Sequence, residues 1–153
     1  MRRTLEKLGS LVFSLLLFGY LATGVHEQFH MKAANFLGVA GHVEFRGWAA
    51  WFIYDEIPTA SQDIIIGFAG GIGTAIIFGL GWWVSSRQLK YTKWELDDTA
   101  ALMILAISEF IYSFLDAFDR YLAFFGGGIG MVVAFGIALA IYGRPILNWL
   151  KEE

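Results

Sequence analysis

The chain has 153 residues, of which 57% are hydrophobic and 16% charged, and its mean hydropathy is +0.57. Soluble domains carry roughly 25% charged residues, so the composition excludes a soluble globule and a disordered chain and points to one embedded in a membrane. The net charge of −3 comes with scattered basic residues, which gives no footing for nucleic acid; the absence of Cys excludes disulfides, thiol catalysis, thiolate metal sites and iron–sulfur clusters.

Four apolar stretches follow one another, from about Leu8 to Leu37, Ile64 to Val84, Thr99 to Leu115 and Leu122 to Tyr142. Each has at least the roughly 17 residues that a helix needs to cross the hydrocarbon, where the backbone must satisfy its own hydrogen bonds. The alternation of a membrane β-barrel is absent. The expected fold is an all-α polytopic membrane protein, one domain over 1–153. Met1-Arg2-Arg3 and the apolar run after it look like a signal peptide, but the run continues directly into a His/Glu cluster and Ala22-Thr23-Gly24 is a weak cleavage site, so a retained first helix is expected.

Between the first two helices, Val39 to Trp48 alternates partially and contains two Gly, which suggests a short β-hairpin or edge structure; Ile57-Pro58 marks a turn before helix 2. Lys90 to Asp98 reads as a polar connector. Arg2, Arg3, Lys7, Arg87, Lys90, Lys93, Arg144 and Lys151 fall on one side of the membrane, against Lys32, Arg46 and Arg120 on the other. The positive-inside rule then places both termini in the cytoplasm.

Ionisable groups inside spanning segments are costly and mark function. The first helix carries His26-Glu27-Gln28-Phe29-His30, a complete H-E-x-x-H. Residues four apart on a helix share a face, with Cβ atoms about 5–6 Å apart, so the two imidazoles can share one Zn²⁺. Glu27, beside the first ligand, can take a proton from an attacking water. The spacing of the longer H-E-x-x-H-x-x-G-x-x-H motif fails, and His42, in a loop, reads as a surface residue.

Asp116 is the better third ligand. Helices 1 and 3 run in the same direction through the membrane, and both the H-E-x-x-H and Asp116 lie near the same end, at one depth. Glu109, two turns deeper on nearly the same face, is expected either to partner a metal-bound histidine or to be a buried acid kept protonated by its burial. Asp119 and Arg120 read as a local ion pair. Gly67 and Gly71, and Gly126 and Gly130, form G-x-x-x-G pairs that let helices approach closely. Neither glycine run follows a strand, so nucleotide binding is not indicated.

The order of these features resembles the site-2 protease family of intramembrane zinc metalloproteases (peptidase family M50), over roughly residues 10 to 120. The segment from His26 to Val39 is similar to the family's H-E-x-x-H helix running into an "LGV" turn, and the stretch to Trp48 resembles the hairpin that follows. Ser61-Gln62 and Ala69-Gly70-Gly71 resemble its small-residue "AGP" helix, and Leu115-Asp116 its "LDG" motif. The resemblance implies a three-helix catalytic core with the fourth helix added. It implies that His26, His30 and Asp116 bind zinc and that Glu27 activates water. Gly71 stands where the family has Pro, Ala117 where it has the Gly of LDG, and Ser108, Ile111 and Phe114 at the places of its preceding Asn/Pro pattern.

The expected function is therefore a membrane-embedded zinc metallopeptidase. Embedded in the lipid bilayer, it would cleave a transmembrane or membrane-proximal stretch of a membrane-protein or peptide substrate, alone or in a homo- or hetero-oligomer. The departures motivate an alternative, a catalytically inactive M50-like accessory or structural subunit of a larger membrane complex. A third reading, a metalloprotein with Glu109 and Asp116 as carboxylate ligands for iron or two metals, lacks the second Glu-x-x-His motif. Bis-His haem is disfavoured further, because His26 and His30 share one helix face and cannot flank a haem.

Overall fold

The computed structural model describes the backbone of residues 2–88, 96–118 and 120–151, with side chains at 5–87, 96, 98–118 and 128–148. In chain order the elements are α1 (Arg2–Phe36), β1 (Gly41–Arg46), β2 (Ala49–Tyr54), α2 (Ala60–Gln88), α3 (Leu96–Phe118) and α4 (Arg120–Lys151). All four helices contain a span long and apolar enough to cross a membrane: Leu5–Phe36, Ala60–Arg87, Asp98–Phe118 and Gly128–Asn148. The chain is a multi-pass membrane protein, mostly helical, with one antiparallel hairpin after the first helix.

The helices outrun the apolar stretches that announce them. α2 begins four residues before Ile64, α3 three before Thr99, and α4 continues through Arg144 and Pro145 to Lys151. Apolar runs end where side chains reach water, whereas the backbone ladder continues until a cap or a break stops it. The Lys90-to-Asp98 connector therefore shortens from its far end, since Leu96 to Asp98 are helical; residues 89–95, the Asp119–Arg120 pair and the Gly126 half of the second G-x-x-x-G lie outside the residues or side chains described.

Chain reversals around the hairpin are written in the sequence. α1 stops in a Schellman motif: Gly38 takes φ +72°, its N–H donates to Asn35 C=O (3.2 Å), and Val39 N–H donates back to Ala34 C=O (2.8 Å). Val39 then packs with Ala34 and Ile66. The strands pair from Gly41↔Tyr54 to Arg46↔Ala49, leaving Gly47-Trp48 as the turn. Only Gly47 of these two has positive φ (+63°), the pattern of a II′ turn, whose twist suits a hairpin. The expected hairpin thus extends further than Val39 to Trp48: its second strand is Ala-Ala-Trp-Phe-Ile-Tyr, an apolar run without alternation. α2 opens on a capping box after Pro58. Thr59 N–H donates to Gln62 Oε1 (2.9 Å) and Gln62 N–H returns to Thr59 Oγ1 (3.4 Å). Gln62 Nε2 also donates to Leu37 C=O (3.1 Å), tying the start of α2 to the end of α1.

α2 packs against both α1 and α3, and α4 lies mainly on α3. The contacts are close because glycine lines them. A Cβ on Gly67 would sit 2.8 Å from Ala117 Cα, one on Gly71 2.6 Å from Glu109 O, and one on Gly130 2.9 Å from Ser108 O. The G-x-x-x-G of α2 is therefore a seam against α3, as small residues allow in lipid. At the other end of the bundle, Leu96, Ala100, Met103 and Ile104 of α3 pack on Ala134, Ala138 and Tyr142 of α4. Outward faces carry large apolar side chains such as Phe13, Leu16, Val132 and Leu139, the composition that lipid tails accept.

Candidate metal centre

α1 buries one stripe at four-residue spacing: Ala22, His26, His30 and Ala34. Helix geometry alone puts the two imidazoles one above the other, and their ring centroids are 4.5 Å apart. Both histidines are nearly sealed, 6% and 7% exposed.

Each ring is fixed by its Nδ1. His26 Nδ1 lies 2.8 Å from Glu109 Oε2 on α3, and His30 Nδ1 lies 2.6 Å from the backbone carbonyl of Ile66 on α2. With Nδ1–H donating in both, Nε2 is left as the acceptor on both rings, the tautomer a metal ligand needs. The two Nε2 atoms face Asp116 of α3, whose Oδ2 is 3.7 Å from His26 Nε2 and 3.3 Å from His30 Nε2. His26, Glu27 and His30 also present ligand atoms all within 4.8 Å of one another, so this buried group could hold a metal ion.

Glu27 is oriented separately. Its Oε2 accepts the backbone N–H of Phe52 on β2, at 2.5 Å. The hairpin thereby holds the acid at the edge of the imidazole pair, and Phe52 also stacks near His30, with centroids 6.3 Å apart. α2 closes the opposite approach. A Cβ at Gly70 would fall 2.7 Å from His26 Nε2 and closer still to His30 Nε2. The space over the two Nε2 atoms is thus bounded by bare backbone, a cradle that any side chain would fill. Gly73 plays the same part for the ring of Phe29. A cavity of about 320 Å³ opens beside the cluster, walled by the histidines, Glu27 and Asp116 and by Phe52 and Tyr112. That is far more than the roughly 30 Å³ share of one water.

All five residues singled out from the sequence for this site, His26, Glu27, His30, Glu109 and Asp116, meet at one end of the bundle. Glu109 lies beside His26, its Oε2 2.8 Å from His26 Nδ1. His42 is elsewhere: it is half-exposed on β1, with Nδ1 2.8 Å from Asp55 Oδ1. Sequence reasoning did not single out the Ile66 carbonyl, the Phe52 amide or Tyr112. A backbone group leaves no signature, but Tyr112 had one, lying four residues before Asp116 and so on its face. Its ring meets His26 edge-on, with centroids 5.2 Å apart.

Comparison of the chain with protein-family models, with curated proteins and with solved structures returns no match.

Proposed function

We propose that this protein is a membrane-embedded zinc metallopeptidase that cleaves a transmembrane or membrane-proximal peptide. The observation that carries the reading is the convergence of His26 Nε2, His30 Nε2 and Asp116 Oδ2 while both Nδ1 atoms are engaged elsewhere. Zinc bonds of about 2.0–2.1 Å at the tetrahedral angle set donor atoms roughly 3.3 Å apart. The observed 3.3 and 3.7 Å suit such a set of two imidazoles and one carboxylate, the combination that leaves a fourth position open. The composition of the donors, nitrogen and oxygen without sulfur, suits zinc.

Bound there, zinc would polarise the scissile carbonyl and make water a nucleophile near neutral pH. The rest of the work falls to the chain. His26 and His30 stay in one tautomer because Glu109 and Ile66 hold their Nδ1–H groups. Glu27, steadied by the Phe52 amide, takes a proton as the water oxygen adds to the carbonyl carbon, and hands it to the amide nitrogen as the C–N bond breaks. The hairpin, the start of α2 and the end of α3 wall the cavity in which this happens, at the end of spans that reach into lipid.

The test combines metal analysis with one substitution. Protein purified without chelator should hold about one zinc per chain, and Glu27→Gln should keep the metal while losing hydrolysis of apolar peptides. Hydrolysis retained in Glu27→Gln would remove Glu27 from the mechanism. Zinc bound without hydrolysis by the wild-type protein would favour an inactive subunit of a larger membrane complex.

A further inference from the structure

Hydrolysis of an amide needs more than a nucleophile and a base. As the water oxygen adds, the carbonyl π electrons move onto the carbonyl oxygen, and a donor already aimed at that oxygen lowers the barrier. The cavity offers few donors. The Nδ1 groups of His26 and His30 are committed to Glu109 and Ile66, and their Nε2 atoms face Asp116. Glu27 and Asp116 are acceptors when ionised. The Phe52 amide is given to Glu27, and the Tyr54 hydroxyl donates to Asp63 at 2.8 Å. Trp51 also carries an indole N–H, but its ring is half-exposed beneath the Arg46 guanidinium, 6.0 Å from its centroid, and is not packed on either imidazole.

Tyr112 remains. It lines the cavity, its ring is steadied against His26 at 5.2 Å, and it lies within electrostatic reach of Asp116, Glu27 and Glu109. Its hydroxyl makes no hydrogen bond to another described residue. A phenol O–H is a donor, and on α3 it stands one turn from Asp116, so the helix that supplies the carboxylate ligand fixes its depth.

We propose that Tyr112 donates its hydroxyl hydrogen bond to the scissile carbonyl oxygen as that oxygen becomes negatively charged. This rests on the peptidase reading above. When the C–N bond breaks, the oxygen's electron pair re-forms the C=O bond, the proton held by Glu27 goes to the amine, and Tyr112 ends the cycle with its own proton still bound. It is a catalytic residue that contributes no ligand and no proton, only a fixed dipole.

The experiment compares Tyr112→Phe with the wild type, using an apolar fluorogenic peptide, a peptidyl phosphinate that mimics the tetrahedral state, and acetohydroxamate as a small metal chelator. Phe keeps the ring against His26. We expect zinc content and thermal midpoint to be unchanged, kcat to fall about 10²-fold with KM within about twofold, and phosphinate binding by calorimetry to weaken while acetohydroxamate binding holds. A variant with wild-type kcat and phosphinate affinity overturns the proposal and leaves the peptidase reading standing. Loss of zinc from the variant also overturns it, since Tyr112 would then be positioning His26. A wild type that holds zinc yet neither cleaves the peptide nor binds the phosphinate overturns the peptidase reading, and the proposal with it.

Discussion

α1 and α4 solve the same packing problem with opposite chemistry. Each is a long apolar helix that buries one stripe at four-residue spacing: Ala22, His26, His30 and Ala34 on α1, and Gly130, Ala134, Ala138 and Tyr142 on α4. On α4 three of the four are small residues closing on α3, and the fourth, Tyr142, gives the one polar link, its Oη accepting the Trp82 Nε1–H at 2.7 Å. On α1 the two central positions are imidazoles, and each needs a partner from another element. Those partners are Glu109 and Asp116 from α3, the Ile66 carbonyl from α2, and for the neighbouring Glu27 the Phe52 amide from β2. Spacing makes a seam; the residue types in it decide whether the seam is inert or a site. Polar groups this buried are tolerated only when satisfied, and no buried side-chain nitrogen or oxygen among the described residues lacks a partner.

The sharpest way to break this contrast is to put a side chain where α1 requires none. Gly70→Leu should abolish metal binding, because its Cβ alone meets both Nε2 atoms; metal analysis by mass spectrometry on the detergent-solubilised protein would show it. His26→Ala should also lose the metal. Full zinc occupancy in that variant would rule out the shared imidazole site. Next in size, Glu109→Gln should weaken zinc affinity by about 10–100-fold, since a carboxylate holding a ligand's far nitrogen raises that ligand's basicity. Competition with a chromophoric chelator measures it directly.

On α4 the same kind of insult should read as stability, with the metal untouched. Ala134→Leu overpacks a fully buried position and should cost about 1–3 kcal/mol at unchanged zinc content, seen as a lower midpoint in thermal unfolding. The smallest effect expected is Tyr142→Phe, about 1 kcal/mol for the lost bond to Trp82. If either α4 variant sheds zinc in proportion to its instability, the two seams are one cooperative unit and not separate ones.

Much of this was legible because lipid imposes simple rules. Four apolar runs of spanning length left little choice but helices, and the parallel courses of α1 and α3 put Asp116 level with His26 and His30 before any contact was known. The i, i+4 spacing placed both imidazoles on one face. What stayed hidden had no side-chain signal or the wrong one. β2 is an uninterrupted apolar strand packed beside α1, so it lacks the alternation that would mark it. The helix ends depend on caps and backbone bonding, which hydropathy does not register. Gly70 reads like any other small residue in a glycine-rich run; that its missing Cβ shapes the ligand space, where Gly67 and Gly71 only seat α3, follows from rotation of α2 about its axis, set by the three-way packing.

Gly70 also determines the direction of approach. Where no side chain fits over the Nε2 pair, no reactant fits either, and α2 shuts that flank. On the peptidase reading, a carbonyl admitted to the cavity would arrive from the flank bounded by Glu27 and Tyr112, which lie on different elements. A half-turn about the C=O axis presents either face of a planar carbonyl to a water held at Glu27 while its oxygen still points at Tyr112, so the choice between the faces needs a third contact, with a substituent on the carbonyl carbon. On the peptidase reading, the side walls of the cavity, Trp51 and Phe52 of β2 among them, would supply that third contact and with it the stereochemical choice.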